Sequence, residues 1–169
     1  KFISIGRFSP EKGHKRLLDA FEQYWKEHPD TWLIIIGGVG NLYDETLAHT
    51  RALRASDHII LIRAVTNPMP ILKRCDLFLL SSYYEGQGIV LMEAATLGVA
   101  VMACDVSGCH SFLKKYGGLL LEDSEAGLLH GMQLFAEGKV LPLNIDAERI
   151  NHTSAAQVEA LIAGDIHIS

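Results

Sequence analysis

Short runs of consecutive apolar residues recur along the chain and alternate with stretches in which apolar residues have helical spacing. The apolar runs cover residues 2–5, 32–36, 59–62, 77–80, 99–103 and 119–121. Continuous apolar runs are typical of strands covered on both faces, and intervening helices connect parallel strands by right-handed crossovers. The pattern therefore predicts an α/β fold, a doubly wound, Rossmann-like parallel sheet of about six strands.

Helical spacing is clearest after the first strand, where apolar side chains recur at Leu17, Phe21, Tyr24 and Trp25. A weaker helix is predicted over 44–55, and Asn67-Pro68 predicts an N-cap followed by proline at the first helical position. The helical C-terminal segment, about 124–163, is broken near Pro142 and ends in a polar helix at 153–163. We expect a single domain over 1–169 and, because Lys1 begins directly in strand-like sequence, a domain excised from a longer protein.

The amino-acid composition argues against several classes of protein, including disordered, nucleic-acid-binding and membrane-spanning proteins. With 49% hydrophobic residues the chain can form a substantial core, and a net charge of −5 argues against non-specific nucleic-acid binding. No apolar run is long enough to span a bilayer. Three cysteines without a CxxC pair favour a reduced, cytoplasmic setting. We therefore expect neither a nucleic-acid partner nor a transmembrane segment.

Ligands of open parallel sheets bind at the carboxyl ends of the strands. In this chain those ends are followed by the loops Gly6-Arg7, Gly37-Gly38, 63–67, 81–88 and 105–108, which we expect to share one rim of the sheet. Most of the interior glycines lie in these loops. The rim is therefore the predicted ligand site.

Two glutamates eight positions apart, Glu85 and Glu93, mark the loop after the fourth strand. Gly86 and Gly88 permit a tight turn, and a helix that begins near Gly88 would direct free amides at an anion, most plausibly a phosphate. Glu93 would lie in the second turn of that helix, close to its apolar side. There it would need hydroxyl or amide donors, such as the hydroxyls of a ribose, to offset its desolvation.

The first loop, "GRFSPEKG", adds two cations. Arg7 directly follows the first strand and Lys12 precedes the first helix, so both could reach the same phosphate, Arg7 as a planar fork and Lys12 as a point charge.

Together, "IGRFSPEKG" and "YEGQGIVLMEA" resemble the nucleotide-sugar-binding, C-terminal half of GT-B-fold glycosyltransferases of group 1 (family 4), the retaining class. The resemblance covers roughly residues 1–135 and looks closest to bacterial enzymes that decorate teichoic acids or other surface polymers. It implies transfer of a hexosyl group from a nucleoside diphosphate sugar, with a UDP-sugar favoured and no metal or other cofactor. The acceptor would bind an N-terminal domain absent from this chain, so the isolated domain would be inactive and could meet the membrane only through that missing domain.

The resemblance also implies roles for individual residues. Glu93 would hold the ribose hydroxyls, Glu85 would contact the transferred sugar, and Arg7 and Lys12 would neutralise the diphosphate. The catalytic set would be Arg7, Lys12 and Glu85. The wider donor site would add Glu93, the nucleobase loop and glycine-rich backbone: Gly6, Gly37, Ala64, Val65, Gly86, Gln87, Gly88, Ile89 and Val90.

Simpler interpretations remain open for the same residues. Arg7 and Lys12 could be solvated loop charges, Glu93 a surface residue, and Lys15 and Arg16 ordinary surface residues of the first helix. Cys104 is expected in the core and Cys109 in an exposed loop. The alternative function is a non-catalytic Rossmann-like module that binds a nucleotide or uses 124–163 as an interface.

Overall fold

The computed structural model describes residues 1–38, 40–86 and 88–143, and within them six strands alternate with six helices. The strands are β1 (Phe2–Ile5), β2 (Leu33–Ile36), β3 (Ile59–Ile62), β4 (Leu77–Leu80), β5 (Ala100–Cys104) and β6 (Leu119–Leu121). The helices are α1 (His14–Trp25), α2 (Tyr43–Ala52), α3 (Met69–Leu72), α4 (Ile89–Thr96), α5 (Ser107–Tyr116) and α6 (Glu125–Ala136). Every predicted strand is present, displaced by one residue at most.

All six strands pair in parallel, in the order β3-β2-β1-β4-β5-β6. The predicted doubly wound parallel sheet is therefore confirmed. The chain moves outward from β1 to β3 and then returns to the centre, so β1 and β4 are neighbours although their first paired residues, Phe2 and Leu77, are 75 positions apart in the sequence. The carboxyl ends of β1 and β4 form the point at which the strand order reverses.

Alternate strand residues supply two cores, one on each face of the sheet. Phe2, Leu33 and Leu79 pack with α1 and α6 on one face, where Phe21 and Leu128 are completely buried. Ile3, Phe78 and Val101 pack on the other face with α3, α4 and α5. Because both faces are covered, the central strands are apolar on both sides except for the buried Ser4 of β1, which explains their nearly continuous apolar sequence.

Helix boundaries differ slightly from the predictions. The helix predicted over 44–55 spans Tyr43–Ala52, and α3 begins at Met69, with the Asn67 side-chain oxygen accepting a hydrogen bond from the Met69 amide at 3.0 Å. The segment 105–108 was predicted as a loop, but α5 already begins at Ser107. The predicted final helix at 153–163 lies outside the described residues, as does Gln87.

In the part of the chain that the structure describes, no helix is both long and apolar enough to cross a bilayer.

Candidate functional site

A cleft of about 490 Å³ opens where the strand order reverses. The β1–α1 loop forms one wall, and the β4–α4 loop with the first turns of α4 forms the other. The lining residues are Ile5, Lys12, Glu85, Gly88, Ile89, Val90 and Glu93. Since α1 and α4 cover opposite faces of the sheet, the two loops diverge here and leave the cleft between them, the usual ligand position in such sheets.

Lys12 and Glu85 form an ion pair inside this cleft. The Lys12 ammonium donates to Glu85 Oε1, and the two side chains are only 17% and 12% exposed. Ser82 Oγ donates to the same carboxylate oxygen at 2.9 Å. The methylenes of Lys12 run past Gly6, where a Cβ would come within 3.2 Å of Lys12 Cδ. Lys12 is therefore not a solvated loop charge, and the cleft holds a largely buried cation with a single acidic partner.

The amino terminus of α4 faces the same cleft. Gly88 caps the helix with φ of +59°, the left-handed conformation that glycine adopts without strain, and no side chain hydrogen-bonds to the first-turn amides. Ile89 and Val90, which carry the next amides, both line the cleft. Unpaired amides at a helix amino terminus attract anions, so the cleft offers an anion two kinds of donor, the Lys12 ammonium and the amides at the start of α4.

Glu93 lies at the edge of the cleft, one turn into α4. The packing predicted for its neighbours is confirmed, because Leu91, Ala94 and Ala95 are buried against the sheet. The expectation that Glu93 itself would be desolvated is wrong, since its position on the helix leaves it exposed. Its carboxylate is free to accept hydrogen bonds from a ligand in the cleft without any prior burial cost.

The other cation of the first loop, Arg7, does not line the cleft. Its side chain is 67% exposed and its Nη2 donates to Glu11 Oε1 at 3.0 Å, four residues along the chain. That pairing is local and exposed, so it holds the guanidinium only weakly. Most of the donors of the Arg7 guanidinium therefore stay accessible to solvent.

Five further predicted contacts lie on the same rim but outside the cleft lining: Gly6, Gly37, Ala64, Val65 and Gly86. Gly37 is buried beneath the Phe8 ring, where a Cβ would come within 2.1 Å of ring carbons, so its lack of a side chain makes room for Phe8. Ala64 and Val65 follow β3, two strands away from β1. Ala64 is exposed and Val65 packs against the core.

The two cysteines near the rim are both inert core residues. Cys104 is fully buried, as expected, and burial raises the pKa of its thiol to about 11. The expectation of an exposed Cys109 is wrong, because it lies inside α5 and is also fully buried. Burial, followed by the negative charge of Glu85, raises the pKa of the Cys109 thiol to about 12. Neither group is a thiolate at neutral pH.

Residues 1–144 match the family model described as glycosyl transferases group 1. The chain belongs to this family. A relative from Campylobacter jejuni, N-acetylgalactosamine-N,N'-diacetylbacillosaminyl-diphospho-undecaprenol 4-alpha-N-acetylgalactosaminyltransferase, is 31% identical over 81% of this chain and 38% of its own length. The Salmonella typhi Vi polysaccharide biosynthesis protein VipC/TviE is 28% identical, over 79% of this chain and 23% of its own.

Solved structures agree with the family assignment. TarM of S. aureus matches with a TM-score of 0.69 and 25% identity, over 81% of this chain and 28% of TarM. A Rickettsia africae glycosyltransferase matches with a TM-score of 0.72 over 80% of this chain and 37% of its own, and at 17% identity it supports the fold alone. These neighbours are GT-B glycosyltransferases, whose Rossmann-like fold this chain shares. The chain spans well under half the length of the relatives it matches.

The structure adds three residues around this cleft that sequence analysis did not assign to it: Arg16, Ser82 and Gly108. Ser82 holds the Glu85 carboxylate. Gly108, at the start of α5, lets that helix approach the β4–α4 loop, since a Cβ there would lie 2.5 Å from the Glu85 carbonyl oxygen. Arg16 was expected on the surface, but it is buried, 7% exposed, and its partners Ser81, Ser82 and Asp123 lie 65 positions or more away along the chain. The sequence around Arg16 does not indicate that this side chain makes such long-range contacts.

Proposed function

We propose that this chain is the donor-binding domain of a glycosyltransferase that transfers a hexosyl group from a nucleoside diphosphate sugar with retention of configuration. One observation carries the proposal: the buried Lys12–Glu85 pair faces the amino terminus of α4 across a cleft at the reversal point of the sheet. A nucleoside diphosphate has the charge, and a sugar the hydroxyls, that such a cleft can bind.

The diphosphate is the leaving group, and stabilising its charge is the main chemical task of the donor site. Lys12 supplies a cation that low exposure shields from solvent, and the first-turn amides around Gly88 to Val90 add dipoles that need no reorganisation. Arg7 would add a second, exposed cation. No metal ion is required for this proposal.

The two glutamates of the cleft would bind the uncharged parts of the donor, which are the ribose and the transferred sugar. Glu93, exposed at the cleft edge, is suited to accept hydrogen bonds from the ribose hydroxyls. Glu85 lies beside Lys12 and would turn its second oxygen towards hydroxyls of the transferred sugar. Gly6 would border the diphosphate, and the loop at Ala64 and Val65 would meet the nucleobase. Gly37 would contribute indirectly, because its lack of a side chain makes room for the Phe8 ring.

The names of the relatives suggest the remaining parts of the reaction. One Escherichia coli relative, 23% identical over 72% of this chain, is named UDP-Gal:alpha-D-GlcNAc-diphosphoundecaprenol alpha-1,3-galactosyltransferase. We therefore favour a UDP-sugar as the donor and a bacterial surface-polymer precursor as the acceptor. The acceptor would bind a separate amino-terminal domain, and the enzyme would act in the cytoplasm at the membrane surface.

Ligand-observed NMR with UDP, GDP, CDP and ADP tests the proposal on the chain as it stands. We expect one nucleoside diphosphate to bind, and Lys12→Ala to weaken it by about tenfold or more, since charge-assisted hydrogen bonds are involved. Lys15→Ala is the matched control, because Lys15 is exposed and paired with Asp19 within α1. If no diphosphate binds, or if the two variants behave alike, the proposed donor site is wrong.

A further inference from the structure

Arg16 lies behind the cleft, not in it, on the first turn of α1. Its guanidinium is one of the few charged groups among the described residues that are nearly fully buried. Nε donates to the Ser81 carbonyl at 2.8 Å and Nη2 donates to the Ser82 carbonyl at 2.8 Å. Nη1 pairs with Asp123 Oδ1 at 2.7 Å, and the guanidinium carbon lies 3.7 Å from the centroid of the Tyr83 ring.

These contacts occur where the sheet stops supplying hydrogen bonds. The pairs between β1 and β4 that the structure describes end at Ile3 and Phe78, and those between β4 and β5 end at Leu80 and Ala103. Ser81 and Ser82 come next and are fully buried, so their carbonyls need partners other than strands or water. The planar fork of Arg16 supplies both, in effect replacing the strand that is missing at the reversal point.

The same short segment is also tied to the first loop. Ser81 Oγ donates to the Lys12 carbonyl at 2.9 Å, and the Tyr83 amide donates to the Glu11 carbonyl at 2.8 Å. Arg16 therefore fixes the backbone on which Ser82 and Glu85 stand, at the distance from Lys12 at which the ion pair forms. Asp123, on the loop after β6, anchors the guanidinium from the far side.

We infer that Arg16 is a positioning residue that holds the Glu85 loop against the Lys12 turn and thereby sets the width of the diphosphate site. The part of this inference that concerns diphosphate rests on the proposed function. The part that concerns loop geometry does not. Arg16 does not line the cleft, and its effect would be transmitted through the carbonyls of Ser81 and Ser82.

Arg16→Lys is the informative variant, because it keeps the charge and loses the fork. We measure amide exchange by NMR and take the ratio of the exchange rate of Tyr83 to that of Leu79, within β4. A loss of global stability alone raises the Leu79 rate at least as much as the Tyr83 rate, so it cannot raise the ratio. We expect the ratio to rise about tenfold, the value of one hydrogen bond to a charged group. Lys15→Ala, on the adjacent position of α1, should leave it unchanged.

UDP affinity, measured on the same samples, connects the loop to the site. We expect Arg16→Lys to weaken UDP about tenfold while Lys15→Ala does not. If Arg16→Lys does not fold, Asp123→Asn replaces it, with a smaller rise in the same ratio, because the fork stays and only its anchor is weakened. An unchanged exchange ratio overturns the inference. So does a raised ratio with unaltered UDP affinity, because Arg16 would then hold the loop without setting the site.

The proposed function and the positioning role of Arg16 can be refuted independently. If the wild-type chain binds no nucleoside diphosphate, the proposed function is refuted, while the Tyr83 to Leu79 ratio still decides whether Arg16 holds the loop.

Discussion

Replacing Gly13 with alanine should separate two costs that usually occur together, backbone strain and steric contact. Gly13 links the short turn Pro10–Lys12 to α1 and has φ of +63°. A methyl group there would lie 2.2 Å from the Ser81 carbonyl oxygen and 2.9 Å from Arg16 Nε. These two atoms are the acceptor and donor of a single hydrogen bond of 2.8 Å, so the methyl group must force them apart.

The magnitude follows from both terms. Left-handed φ costs an alanine about 1 kcal/mol relative to glycine. Displacing the hydrogen bond from a buried guanidinium adds about 2 kcal/mol. We therefore expect Gly13→Ala to lower the free energy of unfolding by about 3 kcal/mol.

Gly98→Ala is the matched control, since Gly98 has a similar φ of +75° and no atom within 4 Å of the position that the added methyl group would take. It should cost only the strain term, about 1 kcal/mol. Urea denaturation followed by circular dichroism measures both variants under one set of conditions. Equal losses in the two variants would refute the reasoning, because the contact of Gly13 with Ser81 would then carry no energy.

Two further predictions concern pH and the ribose. Burial, with a smaller contribution from the positive charge of Lys12, lowers the pKa of His14 from 6.5 to about 4, so between these values the unfolded chain binds a proton that the folded chain does not. The free energy of unfolding should therefore fall by about 3 kcal/mol through His14 as the pH drops from 6.5 to 4. Urea denaturation at several pH values should show a smaller fall for His14→Leu than for the wild-type chain. Parallel curves would contradict the burial argument. If Glu93 binds the ribose, Glu93→Ala should weaken UDP binding about tenfold, and removing the ribose hydroxyls, as in 2′,3′-dideoxy-UDP, should have the same effect. The two changes together should weaken binding no more than either alone, as measured by calorimetry. Additive losses would show that Glu93 binds something else.

The architecture was predictable because the sheet is buried on both faces. Its strands are continuous apolar runs that need no knowledge of their neighbours, and even β6, only three residues long, was located correctly. The strand order was not predictable in this way. Which strand lies beside β1 depends on packing between segments some seventy residues apart, and that order is what brings the Lys12 turn to Glu85.

Within the site, short-range chemistry was easier to predict than burial. The glycine cap of α4 and the burial of Leu91, Ala94 and Ala95 follow from local spacing, whereas the exposure of Glu93 depends on where the packed side of α4 ends. The burial of Arg16 could not be predicted from local spacing either. An arginine beside Lys15 on a helix looks solvated, and only the end of the β1–β4 ladder creates the buried carbonyls that it binds.

Mapping UDP on the chain by ¹H–¹⁵N NMR tests the central claim most directly, because it reports where the ligand binds as well as whether it does. We expect the largest shift changes at the amides of Gly88, Ile89 and Val90, with Gly98 and Gly138 unaffected. Uridine, which lacks the diphosphate, should leave the α4 amides unchanged at the same concentration. Changes centred on another part of the sheet, or equal responses to uridine and UDP, would contradict a diphosphate site at the reversal point of the strands.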